Sequence, residues 1–280
     1  MGIQRYAYAI WPWGVEKKEQ FITALQDISE IGYQHFESVH NTIDLYRKNI
    51  PEFLETCEKY NVYPASFYFH LTGNRKQDID GVLEKLDFLK ETGVDLMTLQ
   101  ALWVGERKAT EEEILYTLDC AEVLADRASE YGIRLSLHPH CNTAMMFEDE
   151  IDFIMDRTNP QKVFFCPDTA HLVGGKCDPV KIVARYADRT AFTHLKDIKG
   201  EGAVSGGMSA GVEVYANFTE LGNGCVDFPA VIRALNQAGY TGFWNCELDV
   251  STTSNRQSAE VCYHYLKAAE QEALSCYMRQ

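Results

Sequence analysis

Short apolar runs along this chain alternate with longer stretches of helical periodicity, and the alternation repeats eight times. Strand-like runs fall at about 5–10, 34–38, 62–69, 95–100, 133–138, 162–167, 190–195 and 242–247. Helical stretches are predicted between them at about 16–31, 51–60, 78–92, 110–131, 147–157, 178–188 and 227–238, and after the last strand at about 255–274. Gly32, Gly93, Gly132 and Gly239 each close a helical stretch and are followed by a β-forming residue (Tyr33, Val94, Ile133, Tyr240), the pattern of a C′ glycine leading into a strand. Helix starts are marked as well: Thr110 and Glu113 form a capping-box pattern, Pro51 and Pro179 suit a first turn, and Asp178 and Asp227 suit N-cap positions.

Eight βα repeats predict a closed (β/α)8 TIM barrel, with residues 1–280 as a single domain. An open doubly wound sheet is the alternative, but it calls for a glycine-rich turn after the first strand. Here that turn reads Trp11-Pro12-Trp13-Gly14, and no Gly-x-Gly-x-x-Gly occurs anywhere. The longest irregular stretch, Gly200 to Asn217, follows the seventh strand; in a barrel it is expected to overhang the active rim and to order on ligand.

Charge narrows the function classes. With 26 basic and 41 acidic residues the net charge is −15, which opposes a nucleic-acid backbone as partner. The nine cysteines never stand as Cys-x-x-Cys, which argues against a disulfide framework or a zinc knuckle. No apolar run approaches the length of a membrane span, and the first residues lack the layout of a signal or transit peptide, so a cytoplasmic protein is expected.

Four of the strand-like runs end in residues of metal-ligand type: His138 in Leu135-Ser136-Leu137-His138, Asp168 after Val163-Phe164-Phe165-Cys166-Pro167, His194 after Ala191-Phe192-Thr193, and Glu247 after Trp244-Asn245-Cys246. In a parallel barrel the four would converge on one rim. Two imidazoles and two carboxylates suit one borderline divalent ion, Mn²⁺ first, with Co²⁺, Zn²⁺, Fe²⁺ or Mg²⁺ as alternatives. Each residue also has a plain reading, Asp168 as a turn cap and His194 as a hydrogen-bonded core histidine.

The segments His138-Pro139-His140, Asp168-Thr169-Ala170-His171-Leu172, His194-Leu195-Lys196-Asp197 and Gly222-Asn223-Gly224-Cys225-Val226-Asp227-Phe228 resemble the xylose-isomerase-like barrel enzymes of sugar and cyclitol metabolism, and within them the inosose dehydratase group. The match is good over about 130–250 and loose before it. The resemblance implies a divalent metal on His138, Asp168, His194 and Glu247, and a contact from His171 to a substrate hydroxyl. Sugar epimerases of this superfamily usually carry Glu at the first ligand position and a second Glu six residues on; here those places hold His138 and Ala144. That departure argues against a two-carboxylate epimerisation.

His140 stands two residues beyond a ligand on the same strand, so it turns toward the same interior and is the first choice of general base; the alternatives are a fifth ligand or a hydrogen-bonding support. Lys196 either stabilises an enolate oxygen or pairs with a carboxylate such as Asp197. Glu37, at the end of the second strand, is read as a substrate contact or acid/base, with a structural ion pair as alternative. Trp11, Trp13 and Trp103 follow the first and fourth strands and either hold the apolar face of a sugar ring or simply pack. The Gly222-Asn223-Gly224 turn lacks the Lys-Ser or Lys-Thr of a P-loop and is read as letting backbone pass close to the rim.

The expected activity is a metal-dependent carbon–oxygen lyase or isomerase that removes a proton beside the carbonyl of a keto-sugar, an inosose-like cyclitol ketone or a 3-oxo-glycoside, with β-elimination favoured. Metal-assisted sugar isomerisation or epimerisation is the nearest alternative. A metal-dependent phosphodiesterase of the same barrel type is disfavoured by charge and by too few ligands. A non-catalytic sugar-binding subunit, and homo-oligomerisation, remain open.

Overall fold

A computed structural model describes residues 5–200, 217–251 and 253–275. Eight parallel strands make one sheet: β1 (Tyr6–Ala9), β2 (His35–Val39), β3 (Tyr63–His70), β4 (Leu96–Gln100), β5 (Arg134–His138), β6 (Val163–Phe165), β7 (Thr193–Leu195) and β10 (Trp244–Cys246). The order β6-β5-β4-β3-β2-β1-β10-β7 closes on itself through parallel bridges from Phe165 to Thr190 and from Asp168 to His194. All eight strands lie where the apolar runs predict them, and the fold is the (β/α)8 barrel. Two short strands, β8 (Asp197–Ile198) and β9 (Phe218–Thr219), pair antiparallel just beyond β7. The stretch expected to overhang the rim lies, but for its two ends, outside the described residues.

The surrounding helices are α1 (Lys18–Ile31), α2 (Asn41–Tyr46), α3 (Ile50–Tyr60), α4 (Arg75–Leu83), α5 (Leu86–Glu91), α6 (Glu111–Glu130), α7 (Glu148–Arg157), α8 (Thr169–Gly174), α9 (Pro179–Arg185), α10 (Phe228–Gln237) and α11 (Asn255–Ser275). The stretch predicted as one helix over 78–92 is two, divided at Lys85, whose ammonium reaches Asp44 at 2.8 Å. The short helices α2 and α8, six residues each, are absent from the predicted set because so few residues cannot display a period. The four closing glycines all adopt positive φ, between 75° and 119°, where a side chain would be strained.

Strand parity explains where chemistry can sit. Leu135 and Leu137 of β5, Met97 and Leu99 of β4, and Phe67 and Phe69 of β3 join the apolar core beneath the helices. The alternate residues, Ser136 and His138, Thr98 and Gln100, Ser66 and Tyr68, turn into the barrel. At the N-terminal end the interior is filled by Ala7, Ala65, Leu96 and Phe192, with Phe164 and Phe243 against them. Above that plug the interior becomes polar: Ser66 and Thr98 hydroxyls meet at 3.0 Å, and the Asn245 amide donates to Glu37 at 3.0 Å.

The capping box at the start of α6 forms as its spacing predicts, with the Thr110 hydroxyl accepting from the Glu113 N–H and Glu113 accepting from Thr110 N–H at 2.8 Å. Arg107 grips the same carboxylate through two nitrogens at 2.6 and 2.8 Å, and this hydrogen bonding, followed by that of Thr110, holds Glu113 down to about 2. Thr110→Ala is expected to cost about 1 kcal/mol in urea unfolding. Because the folded-state value of Glu113 is depressed, its contribution is present above the ordinary value of 4.5 and is lost as pH falls toward about 2. Glu113→Gln should therefore flatten stability against pH in that window and nowhere else.

Candidate active site

The inward residues at the C-terminal ends of the strands form a buried polar cluster. Ligand atoms of Asp168, His194 and Glu247 all lie within 4.8 Å of one another. His138 is beside them, its ring centroid 4.4 Å from that of His194, and falls into two neighbouring groups of the same size, one with Cys166 and His194 and one with His140 and His171. The structure thus gathers all four expected ligand residues at one rim. Three form a tight set with both carboxylates, and His138 flanks it.

Burial sets the electrostatics. It pushes Asp168 up to about 7, against the pull of Lys196 and with the help of Glu247. It also works against the ionised form of Glu247, yet Lys196 and His194 outweigh it and hold Glu247 well below the usual carboxylate range. His194 is likewise opposed by burial but carried well above its ordinary value by Glu37, Cys166 and Glu247. Its Nε2 lies 2.6 Å from Glu37 Oε2 and its Nδ1 2.5 Å from Glu247 Oε2. Lys196 Nζ donates to Glu247 Oε1 at 2.7 Å and Asp249 Oδ2 at 3.0 Å, and lies 3.2 Å from Asp168 Oδ2. Although burial disfavours its charge, Asp168, Asp249 and Glu247 keep Lys196 protonated, and it is wholly buried.

The donor set fits a divalent cation. Asp168 Oδ2, Glu247 Oε2 and both ring nitrogens of His138 and of His194 are buried with no hydrogen bond of acceptable geometry, despite the short approaches just described. Orphaned polar atoms of this kind are costly inside a protein. Four carboxylates, of Glu37, Asp168, Glu247 and Asp249, face Lys196 and the His194 ring, which leaves room in the charge balance for a further cation.

Above the cluster lies a cavity of about 360 Å³ lined by Trp11, Val39, Tyr68, His70, Gln100, Trp103, His140, Glu247 and Asp249. Its β1–β4 side carries aromatic, aliphatic, amide and imidazole side chains, and its carboxylates come from the segment after β10. His140 Nδ1 is 2.7 Å from the Cys141 carbonyl, which can only accept, so that nitrogen carries the ring proton and Nε2 the lone pair. Burial, then Lys196, lowers His140 to about 3, which keeps the ring neutral.

Other expected residues take different places. Glu37 is fully buried beneath His194, away from the residues that line the cavity. Trp13 turns to α1, its indole N–H donating to Asp27 at 2.8 Å, whereas Trp103 lines the cavity half exposed. His171 belongs to helix α8, where a loop is expected; Asp168 Oδ1 caps that helix by accepting the His171 N–H at 2.8 Å, so Asp168 fulfils its plain reading while its second oxygen stays with the cluster. The His171 ring lies 3.7 Å from that of His140, centroid to centroid, behind the cavity wall. Lys196 pairs with the cluster carboxylates and not with Asp197, whose oxygens instead accept N–H groups of Gly222, Gly224 and Val226 at 2.9, 2.9 and 3.1 Å. The Gly222-Asn223-Gly224 turn is thereby a cradle for a protein carboxylate: a Cβ at Gly224 would stand 2.2 Å from Asp197 Oδ1. Asp249, Tyr68 and Gln100 are absent from the expected set, although each shares the parity of an inward strand residue.

Compared with known proteins, residues 25–268 match the family model described as xylose isomerase-like TIM barrel. An inosose dehydratase of Lacticaseibacillus casei is 28% identical over 245 residues, covering 81% of each chain. Among solved structures, an L-ribulose 3-epimerase superposes with a TM-score of 0.79 at 12% identity, over 99% of this chain and 97% of the other. The IOLI protein, with a bound zinc atom, superposes with a TM-score of 0.77 at 16% identity, over 96% of this chain and 99% of the other.

Removing the central ammonium should expose the charge imbalance directly. Lys196→Met is expected to destabilise the protein by about 3–5 kcal/mol in urea unfolding, because the buried Asp168 and Glu247 and the partly exposed Asp249 lose their shared partner. A loss below about 1 kcal/mol would mean the cluster is already neutral through protonation.

Proposed function

The chain belongs to the xylose isomerase-like TIM-barrel family, and from that premise we propose that it is a divalent-metal-dependent enzyme that removes the proton beside the carbonyl of a keto-sugar or cyclitol ketone and then favours β-elimination. The observation that carries this reading is the convergence of Asp168, His194 and Glu247, with orphaned donor atoms, at the floor of a cavity walled by His140. In this reading His138, Asp168, His194 and Glu247 hold the ion, Mn²⁺ before Co²⁺, Zn²⁺, Fe²⁺ or Mg²⁺. When bound it supplies positive charge that polarises a carbonyl and acidifies the neighbouring C–H.

The chain's own groups do the rest. His140 takes the proton on Nε2, its ring held by the Nδ1–H bond to the Cys141 carbonyl. Burial leaves this ring neutral in the resting site, with Nε2 unprotonated, and the same burial weakens it as a base, an effect that the negative charge of Glu247 opposes. Lys196, too deep to touch substrate, offsets negative charge that develops above it through Glu247 and Asp249. Glu37 orients His194 from below. Trp11, Tyr68 and Trp103 offer aromatic faces to the C–H side of a ring while Asp249 meets its hydroxyls. His171 supports His140 through their ring contact.

Elimination is favoured over epimerisation by the distribution of carboxylates. The superfamily's epimerases pair two carboxylates, and here the cavity carboxylates, Glu247 and Asp249, both belong to one segment, after β10. Ala144, at the place of the epimerases' second Glu, is a buried methyl group. The inosose dehydratase similarity points the same way.

Solvent-deuterium exchange on a panel of cyclitol ketones and keto-sugars tests the proposal. Incorporation at the carbon next to the carbonyl, followed by loss of water, is expected with the metal-loaded enzyme. His140→Ala should lower both by about 10²–10⁴-fold with its metal content unchanged. Full turnover after exhaustive chelation, or in His140→Ala, would overturn the assignment.

A further inference from the structure

Strand order decides what faces what across the cavity. Counted around the closed barrel, β4 stands four strands from β10 in either direction, so the end of β4 lies opposite the segment that carries Glu247 and Asp249. The residue at that end is Gln100, level with His138 in the β4–β5 register, only 9% exposed and part of the cavity lining. A buried amide ordinarily has both its oxygen and its nitrogen hydrogen-bonded. Here only the oxygen is.

The Tyr68 phenol donates to Gln100 Oε1 at 2.5 Å. The Tyr68 ring is itself held, stacked on the His194 ring at 5.9 Å and 28°, 5.6 Å from Trp11 and edge-on to His138 at 5.4 Å. With Oε1 fixed toward Tyr68, the trigonal amide carbon turns Nε2 away from the phenol, and Nε2 makes no hydrogen bond among the described residues. Its N–H groups are donors and nothing else. Across the cavity the Glu247 and Asp249 carboxylates only accept, and His140 Nε2 presents a lone pair. Acceptors thus stand after β5 and β10, with an unpaired amide donor at the end of β4.

We propose that Gln100 is a specificity residue whose N–H groups donate to a ring hydroxyl oxygen of the substrate, and that the bond from Tyr68 locks the amide in this donating orientation. The proposal rests on the reading of the cavity as a keto-sugar or cyclitol-ketone site and adds a recognition contact to it. The ketone belongs at the cluster of Asp168, His194 and Glu247, so the oxygen that reaches Gln100 is a hydroxyl on the far side of the ring. A ring lacking that hydroxyl leaves a buried donor without a partner, which costs binding.

The test measures binding, by calorimetry on the Mn²⁺-loaded enzyme, of a pentahydroxycyclohexanone and of its single-deoxy analogues. For one analogue the loss of affinity in wild type, at least about tenfold, should shrink to within about twofold in Gln100→Leu, while the losses for the other analogues persist. Tyr68→Phe, which keeps the ring but frees the amide to turn, should shrink the same single loss by at least about threefold, and it supplies the readout should Gln100→Leu melt early. Losses unchanged in both variants, a uniform weakening toward every analogue, or no binding of the parent ketone overturns the assignment. Coupling to one hydroxyl without exchange of the proton beside the carbonyl leaves the Gln100 contact standing and overturns the lyase reading; exchange and elimination without that coupling do the reverse.

Discussion

Negative charge buried at the mouth of the barrel is the constraint on which the rest of the site depends. Asp168 and Glu247 are removed from water, with Asp249 close above them, and a lone carboxylate in such a place would simply protonate. Lys196 prevents that by touching all three, and the His194 ring, set between Glu37 and Glu247, shares the load. The compensation is partial, which is why Asp168 is pushed up to about 7 and why donor atoms are left without hydrogen bonds. Buried charge of this kind is what a bound cation would compensate.

The scaffold keeps its other buried carboxylates fully satisfied. Asp197 is cradled by backbone N–H groups, Asp78 ties the segment after β3 to α6, and Glu150 accepts from Ala109, Met146 and Phe147, joining the segments after β4 and β5. These closed networks fix the loops that carry His140 and Trp103, whereas the carboxylates of the polar cluster, Glu37, Asp168 and Glu247, each keep an oxygen without a hydrogen bond. Satisfied carboxylates build the rim, and unsatisfied ones mark the place where chemistry is possible.

Much of this was legible from residue order. The eight strands and their closing glycines follow from apolar runs and C′ positions, and His138, Asp168, His194 and Glu247 follow from polar residues at strand ends. Asp249 could have been found by the same parity, being two residues past Glu247 as His140 is past His138. Tyr68 and Gln100 are harder, because an aromatic or amide at a strand end looks like packing until its neighbours are known. The helix α8 was hidden since Asp168 both caps it and faces the cluster, and six residues carry no period. The depth of Glu37 and Lys196 depends on how far each strand reaches along the barrel axis, which only the register reveals.

The most direct measurement is metal stoichiometry and affinity by native mass spectrometry and competition with a chelator. One divalent ion per chain is expected, with affinity lowered at least about tenfold in Asp168→Asn and in His194→Ala and about 10–100-fold in Glu37→Gln, which leaves every proposed ligand in place. A chain that takes up no stoichiometric Mn²⁺, Co²⁺ or Zn²⁺, or variants that bind as tightly as wild type, would contradict the claim that the buried charge is organised around a metal.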